Sequence, residues 1–347
     1  MARVDVVGLS LLTLAPGQIG GSEVYARELV RSLARVGGLS YRIVVPSTAK
    51  ELADSEDVRV LELPRSRPLQ FLLAGGPTAR RALAGCAVVH YPLTVALPPP
   101  RVPAVVTLHD VQHRDLPANF SRATRAYRSI AYDRGARRAA RVIVLSDFAR
   151  DRAILQLGLD PERVRVVWSG VDHELFRPSD DAPEPFVLYP ARPWPHKNHR
   201  RLIEAMQLLW HERPELRLVL TGGGFDGPLP DRVERRGRVS DDELALLYRR
   251  ASALVFPSLY EGFGQPPLEA MASGCPVAAA NAGALPEICG DAARLFDPLD
   301  PEAIADAIAD VVDDRPSWRA RGLERAGLFS WEATARATGA VYSELLH

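Results

Sequence analysis

Short apolar runs alternate with longer helical stretches along almost the whole chain, and the alternation starts twice. In the first series, strands are expected at Val4–Val7, Tyr41–Val45, Val58–Leu63, Ala87–His90, Ala104–Leu108, Arg141–Leu145 and Val164–Val167. Helices are expected near Ser22–Val36, Pro77–Gly85, Ser121–Arg138 and Phe148–Leu157. In the second series the strands are Phe186–Tyr189, Leu216–Leu220, Val233–Gly237, Ala253–Phe256, Pro276–Ala279 and Ala293–Phe296. Its helices fall near His199–Glu212, Asp241–Ala251, Pro267–Ser273 and Pro301–Asp313, the second opened by the capping box Ser240 and Glu243. Strands apolar on both faces, separated by helices, belong in parallel sheets covered on both sides. Between the series, Pro178, Ser179, Asp180, Asp181, Pro183 and Pro185 give a linker composition. The expected fold class is therefore α/β, with two doubly wound Rossmann-like domains. They cover residues 1–171 and 186–328, joined by a linker at 172–185. Helical segments Ser317–Leu328 and Trp331–Leu346 close the chain, with no strand after them. Ligands of such sheets bind beyond the carboxyl ends of the strands, so the site is expected in a cleft between the two domains.

Composition removes several classes. With 347 residues, 47% hydrophobic and 25% charged, the chain can bury two cores and is not a disordered polymer. A net charge of zero gives no sign of general nucleic-acid binding. That zero hides an asymmetry: residues 1–170 hold 24 basic and 15 acidic side chains (+9), and the remainder hold 19 and 28 (−9). Only Lys50 and Lys197 are lysine, so a lysine inside a candidate site stands out. Cys86, Cys275 and Cys289, without a CxxC, fit a reducing cytoplasm better than a disulfide framework or a structural zinc site. No apolar run approaches the ~18–20 residues needed to span a bilayer. Val4 to Ala15 after Arg3 could mimic a signal peptide, but Asp5 interrupts it and a first buried strand is the better reading.

The most informative segment runs from Pro257 to Pro276 between a strand and a helix. Gly262 and Gly264 let backbone approach a ligand, Pro266 and Pro267 suit a first helical turn, and the helix N-terminus favours an anion. Glu261 and Glu269 flank it. Carboxylates beside an anion make sense as acceptors for hydroxyls of a sugar and a ribose, although an ordinary strand–loop–helix turn has the same pattern. A second loop, Tyr189 to His199, places Arg192 and Lys197 at another strand end, a bidentate cation and a point charge suited to a diphosphate or to solvent. His196 and His199 would position this loop or face solvent. Gly-rich loops at Pro16–Glu23, with Gly20 and Gly21, and at Thr221–Gly224, with Gly222 and Gly223, could lay N–H groups on phosphate, yet neither is GxGxxG. His109 and His113 are four apart, but a zinc site lacks its Glu, and His109-Asp110 at a strand end is a better polar contact. Asp180-Asp181 and Asp241-Asp242 fit linker and cap roles. Residues 114–152 hold ten Arg against four Asp, with Arg122, Arg125 and Arg128 at three-residue spacing. This is either a solvated face or a contact for an anionic membrane or lipid-diphosphate acceptor.

Taken together these residues resemble glycosyltransferase family 4, retaining nucleotide-sugar enzymes of GT-B fold. The resemblance is carried by Glu261-Gly-Phe-Gly to Glu269, Asn281-Ala-Gly-Ala-Leu-Pro-Glu287, Gly290-Asp-Ala-Ala to Phe296-Asp-Pro, Arg192…Lys197-Asn198 and Gly20-Gly21. Ala191 stands where the family often has Gly, and Gln265 where an aliphatic residue is common. The resemblance implies that Glu261 binds donor-sugar hydroxyls, helped by the N–H groups of Gly262, Phe263 and Gly264, and that Glu269 binds the ribose. It implies that Arg192 and Lys197 neutralise the leaving diphosphate, that the base packs near Arg238-Val239, and that His109 meets the sugar while Gly20 and Gly21 close over phosphate. The N-terminal domain would take the acceptor, and residues 329–347 would carry the helix that crosses back onto it. No metal and no cofactor beyond the donor is implied. The first guess for the donor is GDP-mannose. The acceptor would be a hydroxyl, for example on a lipid-linked glycan, reached by a cytoplasmic enzyme peripheral to the membrane and building a surface polysaccharide. Three rivals stand beside this: an epimerase or phosphorylase of the same architecture, a non-catalytic sugar-nucleotide binder, and a zinc hydrolase.

Overall fold

A computed structural model describes residues 5–16, 20–52, 57–64, 66–225 and 227–346. The chain divides into two compact units, Met1–Gly170 with Trp331–His347, and Val171–Ser330.

The first unit is built on strands β1 (Val6–Ser10), β2 (Ser40–Pro46), β3 (Val58–Leu61), β4 (Val88–Tyr91), β5 (Ala104–Thr107), β6 (Arg141–Val144) and β7 (Val164–Val166). They form one parallel sheet in the order β3-β2-β1-β4-β5-β6-β7. Helices α1 (Gly21–Val36), α2 (Arg67–Ala74), α3 (Pro77–Ala82), α4 (Gln112–Asp115), α5 (Arg122–Arg128), α6 (Arg134–Arg138) and α7 (Asp147–Leu157) belong to this unit. Burial follows the pattern: Val88, Val89, Val105, Val106, Ile143 and Val144 are closed off from solvent, as strands covered on both faces must be.

Three departures from the expected elements have physical causes. β1 ends at Ser10 rather than Val7, while Val4 lies outside the described residues. Gly8 is a strand residue whose missing side chain makes room for Leu83 and Cys86, which would meet a Cβ at 2.8 and 2.9 Å. α2 was not expected because its polarity is inverted. Its Gln70 points inward and donates to Leu12 O at 3.0 Å and Leu14 O at 3.2 Å, leaving leucines outside. The stretch read as one helix, Ser121–Arg138, contains a π turn at Ser129–Asp133 between α5 and α6. That turn carries Asp133 into the interior, where it accepts from His113 Nε2 and Arg114 Nε, both at 2.8 Å.

The second unit carries β8 (Glu184–Pro190), β9 (Arg217–Thr221), β10 (Val233–Gly237), β11 (Ala251–Phe256), β12 (Val277–Ala280) and β13 (Ala293–Phe296). Its parallel sheet has the order β10-β9-β8-β11-β12-β13. Helices α8 (His199–Glu212), α9 (Asp241–Arg250), α10 (Gln265–Ala272), α11 (Leu285–Cys289), α12 (Pro301–Asp313) and α13 (Arg315–Ala326) complete it. Half of the expected capping box forms: Ser240 Oγ accepts from Glu243 N at 3.2 Å, while the Glu243 carboxylate lies 3.8 Å from Arg236.

The last helix, α14 (Trp331–Ser343), returns to the first unit and packs along α1. Trp331 lies 6.0 Å from Tyr25, Tyr342 OH is 2.6 Å from His90 Nδ1, and Glu344 pairs with Arg141 and Arg165. Among the described residues no helix is long and apolar enough to cross a membrane.

Candidate active site

In the second sheet, β8 lies between β9 and β11, and β11 leads on to β12. Strand order therefore reverses between β8 and β11, and the loops leaving their carboxyl ends frame a crevice. These are the two loops singled out above. Lys197, from the loop after β8, donates from Nζ to Glu261 Oε1, from the loop after β11, at 2.5 Å. The two side chains are only 14% and 15% exposed. The ammonium also sits 5.1 Å over the ring of Phe256, the last residue of β11.

Buried polar groups hold this pair in place. Tyr189 OH donates to Lys197 O at 2.6 Å. Asn198, buried and left-handed at φ 60°, donates from Nδ2 to Pro257 O at 3.1 Å and to Pro298 O at 2.7 Å. Leu259 N donates to His196 O at 2.8 Å. His199 is wedged between Tyr189 and Phe225, bonds Ala191 O through Nε2 at 3.2 Å, and is held down to a pKa of about 4, mainly by burial. His199 thus anchors this loop through its side chain, and His196 through its backbone carbonyl.

Two glycines set the approach of further loops. Gly222, at φ 108°, lies against the backbone of Ala191 and Arg192, where a Cβ would meet atoms at 2.9–3.1 Å. Gly283, at φ 62°, lies against Glu261, where a Cβ would be 2.7 Å from its N and 2.8 Å from its O. The next residue, Ala284, donates to Glu261 O at 3.1 Å. Gly223 faces the backbone N of Arg238, which a Cβ would approach to 3.8 Å, so Arg238 and Val239 adjoin the same rim. Arg192 is half-buried, 6.0 Å from the Trp194 ring, and among the described residues it pairs with no carboxylate.

α10 follows the Glu261 loop with Gly264 as its N-cap. Its contribution to anion binding differs from the expected one. Pro266 and Pro267 have no N–H, and Leu268 N already donates to Gly264 O at 3.4 Å, so any donors come from residues 262–264 and from the first helical residue, Gln265. Phe263 is buried with its ring 6.2 Å from Phe329. Glu269 is buried in α10 and accepts from Tyr248 OH at 3.1 Å. Burial, aided by Asp241, pushes its pKa up to about 8, against the opposing hydrogen bonds of Tyr248 and Gln265. Tyr248 was not singled out from sequence, since a Tyr in an amphipathic helix reads as core.

His109, Gly20 and Gly21 belong to the first unit. Gly20 caps α1 at φ 65°, Gly21 is its first residue, and Gly17, Gln18 and Ile19 lie outside the described residues. His109 donates from Nε2 to Pro92 O at 2.9 Å and meets Tyr25, one turn into α1, edge-on at 5.1 Å. Burial lowers its pKa, so the ring is neutral. The histidine pair makes no metal site. His113 is turned onto Asp133, and Asp110 caps Gln112 N at 2.9 Å and lies 3.5 Å from Arg128. No cluster of three metal-binding side chains occurs among the described residues. The expected arginine stripe is also broken: Arg122 is exposed and Arg125 half-buried, whereas Arg128 packs 4.7 Å over Phe120 and 5.3 Å over Tyr132.

Residues 19–175 match the family model for Glycosyltransferase Family 4, and residues 172–325 match that for Glycosyl transferases group 1. The chain is 34% identical over 256 residues to O-antigen chain mannosyltransferase B of Escherichia coli, covering 66% of this chain and 67% of that one. It is 34% identical over 231 residues to the MMP alpha-(1->4)-mannosyltransferase of Mycolicibacterium hassiacum, 61% of this chain and 56% of that one. The match thus spans two thirds of the first relative's length and little over half of the second's. Among solved structures, sucrose-phosphate synthase from Thermosynechococcus elongatus superposes with a TM-score of 0.75 at 24% identity, over 98% of this chain and 99% of that one. The fold is that of the GT-B class.

Proposed function

The chain belongs to glycosyltransferase family 4, and on that premise we propose that it moves a hexosyl group from a nucleoside-diphosphate sugar to a hydroxyl acceptor, retaining the anomeric configuration. The observation that carries this reading is the Lys197–Glu261 pair at the switch point, with Arg192, which pairs with no carboxylate among the described residues, in the same loop as Lys197. Breaking the anomeric bond places growing negative charge on the diphosphate and positive character on the sugar. Arg192 and Lys197, fixed before the reaction, stabilise the first without reorganisation. Glu261 accepts from sugar hydroxyls, and the acceptor hydroxyl passes its proton to the departing phosphate oxygen. Glu269 accepts from ribose hydroxyls, the base packs by Arg238 and Val239, and His109, Gly20 and Gly21 contact the sugar and phosphate. The proposal assigns charge neutralisation to these side chains rather than to a metal ion, so transfer persists in chelator.

The two mannosyltransferase relatives support GDP-mannose as donor, and the O-antigen relative supports a lipid-linked glycan acceptor. Three unpaired cysteines, all buried, support a reducing compartment. The test is a thermal-shift panel of nucleotide sugars followed by product analysis with the stabilising donor. A ligand at a hundred times its dissociation constant stabilises the fold by about 2.7 kcal/mol. Donor consumption without a new glycoside would assign an epimerase or phosphorylase, and stabilisation without turnover a binding protein.

A further inference from the structure

We propose that the first unit carries a binding pocket for a small carboxylate with a compact apolar body, enclosed between the end of α3, β4 and the loop that leads from β4 to β5.

The space comes first. A cavity of about 230 Å³ is lined by Leu83, Cys86, Val89, Tyr91 and Val102. At the packing density of protein interiors it holds a molecule of about ten non-hydrogen atoms. One wall is set against the sheet, because Leu83 and Cys86 settle onto Gly8, which has no side chain to hold them off. The opposite wall is the β4–β5 loop, and it is tied down along its length. Tyr91 OH donates to Pro98 O at 2.6 Å, Ser10 Oγ to Leu97 O at 2.6 Å and Thr94 Oγ1 to Thr107 O at 2.8 Å. Pro98, Pro99 and Pro100 restrict the remainder. The pocket is therefore formed before a ligand arrives, as small-molecule sites are. Pro92, at the start of the same loop, supplies the carbonyl that holds His109.

Polarity then selects the occupant. Among the described residues the only charged side chains that line the cavity are Arg80 and Arg101. Both are exposed, so they stand where it opens to solvent, and among the described residues neither is ion-paired. The sequence explains why: from Leu63 to His109 there are five arginines and no Asp or Glu. A guanidinium without a carboxylate of its own takes one from a ligand, in a planar two-point contact. The walls offer little else that is polar, since the Tyr91 hydroxyl is spent on Pro98. A sugar would leave its hydroxyls without partners there, and a bare phosphate would leave the apolar walls without contact. One anionic head on a compact apolar body satisfies both parts. Binding is measured without donor or acceptor, so this site stands apart from the transferase reading.

The experiment is calorimetric titration of the full chain with phenylacetate, whose about ten non-hydrogen atoms match the cavity. A dissociation constant on the order of 1 mM is expected for a ligand of that size. Phenylacetamide, the same shape without the charge, should bind about ten-fold more weakly or not at all, and so should phenylacetate to Arg101→Ala. Ala84→Phe, at an exposed position lining the opening, should block binding with an unchanged melting temperature. Arg122→Ala, an exposed arginine on α5, should leave the affinity as it is. Absence of phenylacetate binding, equal affinity for phenylacetamide, or undiminished binding to Arg101→Ala or Ala84→Phe overturns the proposal. So does tighter binding of dodecanoate, which would make the feature an open groove for an extended chain.

Discussion

Replacing Gly283 by alanine tests whether the backbone position of Glu261 governs transfer. The added Cβ would lie 2.7 Å from Glu261 N and 2.8 Å from Glu261 O, against 3.4–4 Å for ordinary contact. Both are backbone atoms, so no side chain can swing aside. Relief requires the Glu261 peptide to withdraw by about 0.7 Å, or strain to stay in the fold. A left-handed φ of 62° adds about 1–2 kcal/mol for any residue with a Cβ, and crowding about 1–3 kcal/mol. The withdrawn peptide would also carry Glu261 away from Lys197, now 2.5 Å distant. Misplacement by ~1 Å at a reacting centre costs on the order of 100-fold. The assay is kcat/KM for the preferred donor beside a thermal melt. Gly158→Ala is the control: its φ is 63°, it has nothing within 4 Å of an added Cβ, and it should lose only stability. If Gly283→Ala melts like Gly158→Ala and transfers at the wild-type rate, the position of the Glu261 backbone does not matter and the reasoning fails.

Lys197→Ala, Glu261→Ala and Arg192→Ala should each cut transfer about 100-fold or more with folding intact, as loss of a preorganised charge partner does; near-normal turnover in all three would remove the site assignment. Glu269 titrates near pH 8 against an ordinary 4.5, so its contribution is fully present below about pH 4.5 and is lost as pH rises through 8. Glu269→Gln should therefore gain stability relative to wild type between pH 5 and 9, approximately, and a flat difference in melting temperature would contradict the shift. Asn198→Ala loses two buried hydrogen bonds and keeps a left-handed φ of 60°. A destabilisation of about 2–4 kcal/mol in denaturant titration is expected, with Asn198→Gly recovering only the backbone share.

The parallel sheets were legible because their strands are apolar on both faces. Val88, Val105, Ile143, Leu254 and Val255 are all fully buried, which is how a strand covered by helices must read. What escaped was local structure whose cause lies elsewhere in the chain. α2 turns its leucines outward because Gln70 finds carbonyls at Leu12 and Leu14, 58 and 56 residues away. The π turn at Ser129–Asp133 exists to bury a carboxylate between His113 and Arg114. No window of sequence contains either partner set. The site divides along the same line. Lys197 and Glu261 were visible as residue types at strand ends, but their pairing follows from strand order. Asn198 as a clamp, Tyr248 as the partner of Glu269 and Gly283 as a spacer required the fold.

The charge division acquires a different meaning beside this geometry. Residues 171–347 carry an excess of nine acidic groups, yet under the proposed function they take a diphosphate. Some of its acidic side chains are held by arginines, which leaves the net excess unchanged but ties those carboxylates to local partners: Glu184 faces Arg217 and Arg250, Glu234 faces Arg217 and Arg236, Asp310 faces Arg294, and Asp313 faces Arg213. The loop after β8 carries Arg192, unpaired among the described residues, and Lys197, held by Glu261. A sparsely exposed charge without a partner is costly, and the Lys197–Glu261 contact removes that cost for both residues while no ligand is present. A nucleotide sugar offers each residue a replacement, phosphate oxygens for Lys197 and sugar hydroxyls for Glu261. A ligand with only one of these parts would leave the other residue stranded. A bare sugar cannot compensate Lys197, and a bare diphosphate cannot satisfy Glu261. Under the proposed function the pair thus selects for a molecule that carries both parts, which bulk charge could not do and a lone arginine patch would not.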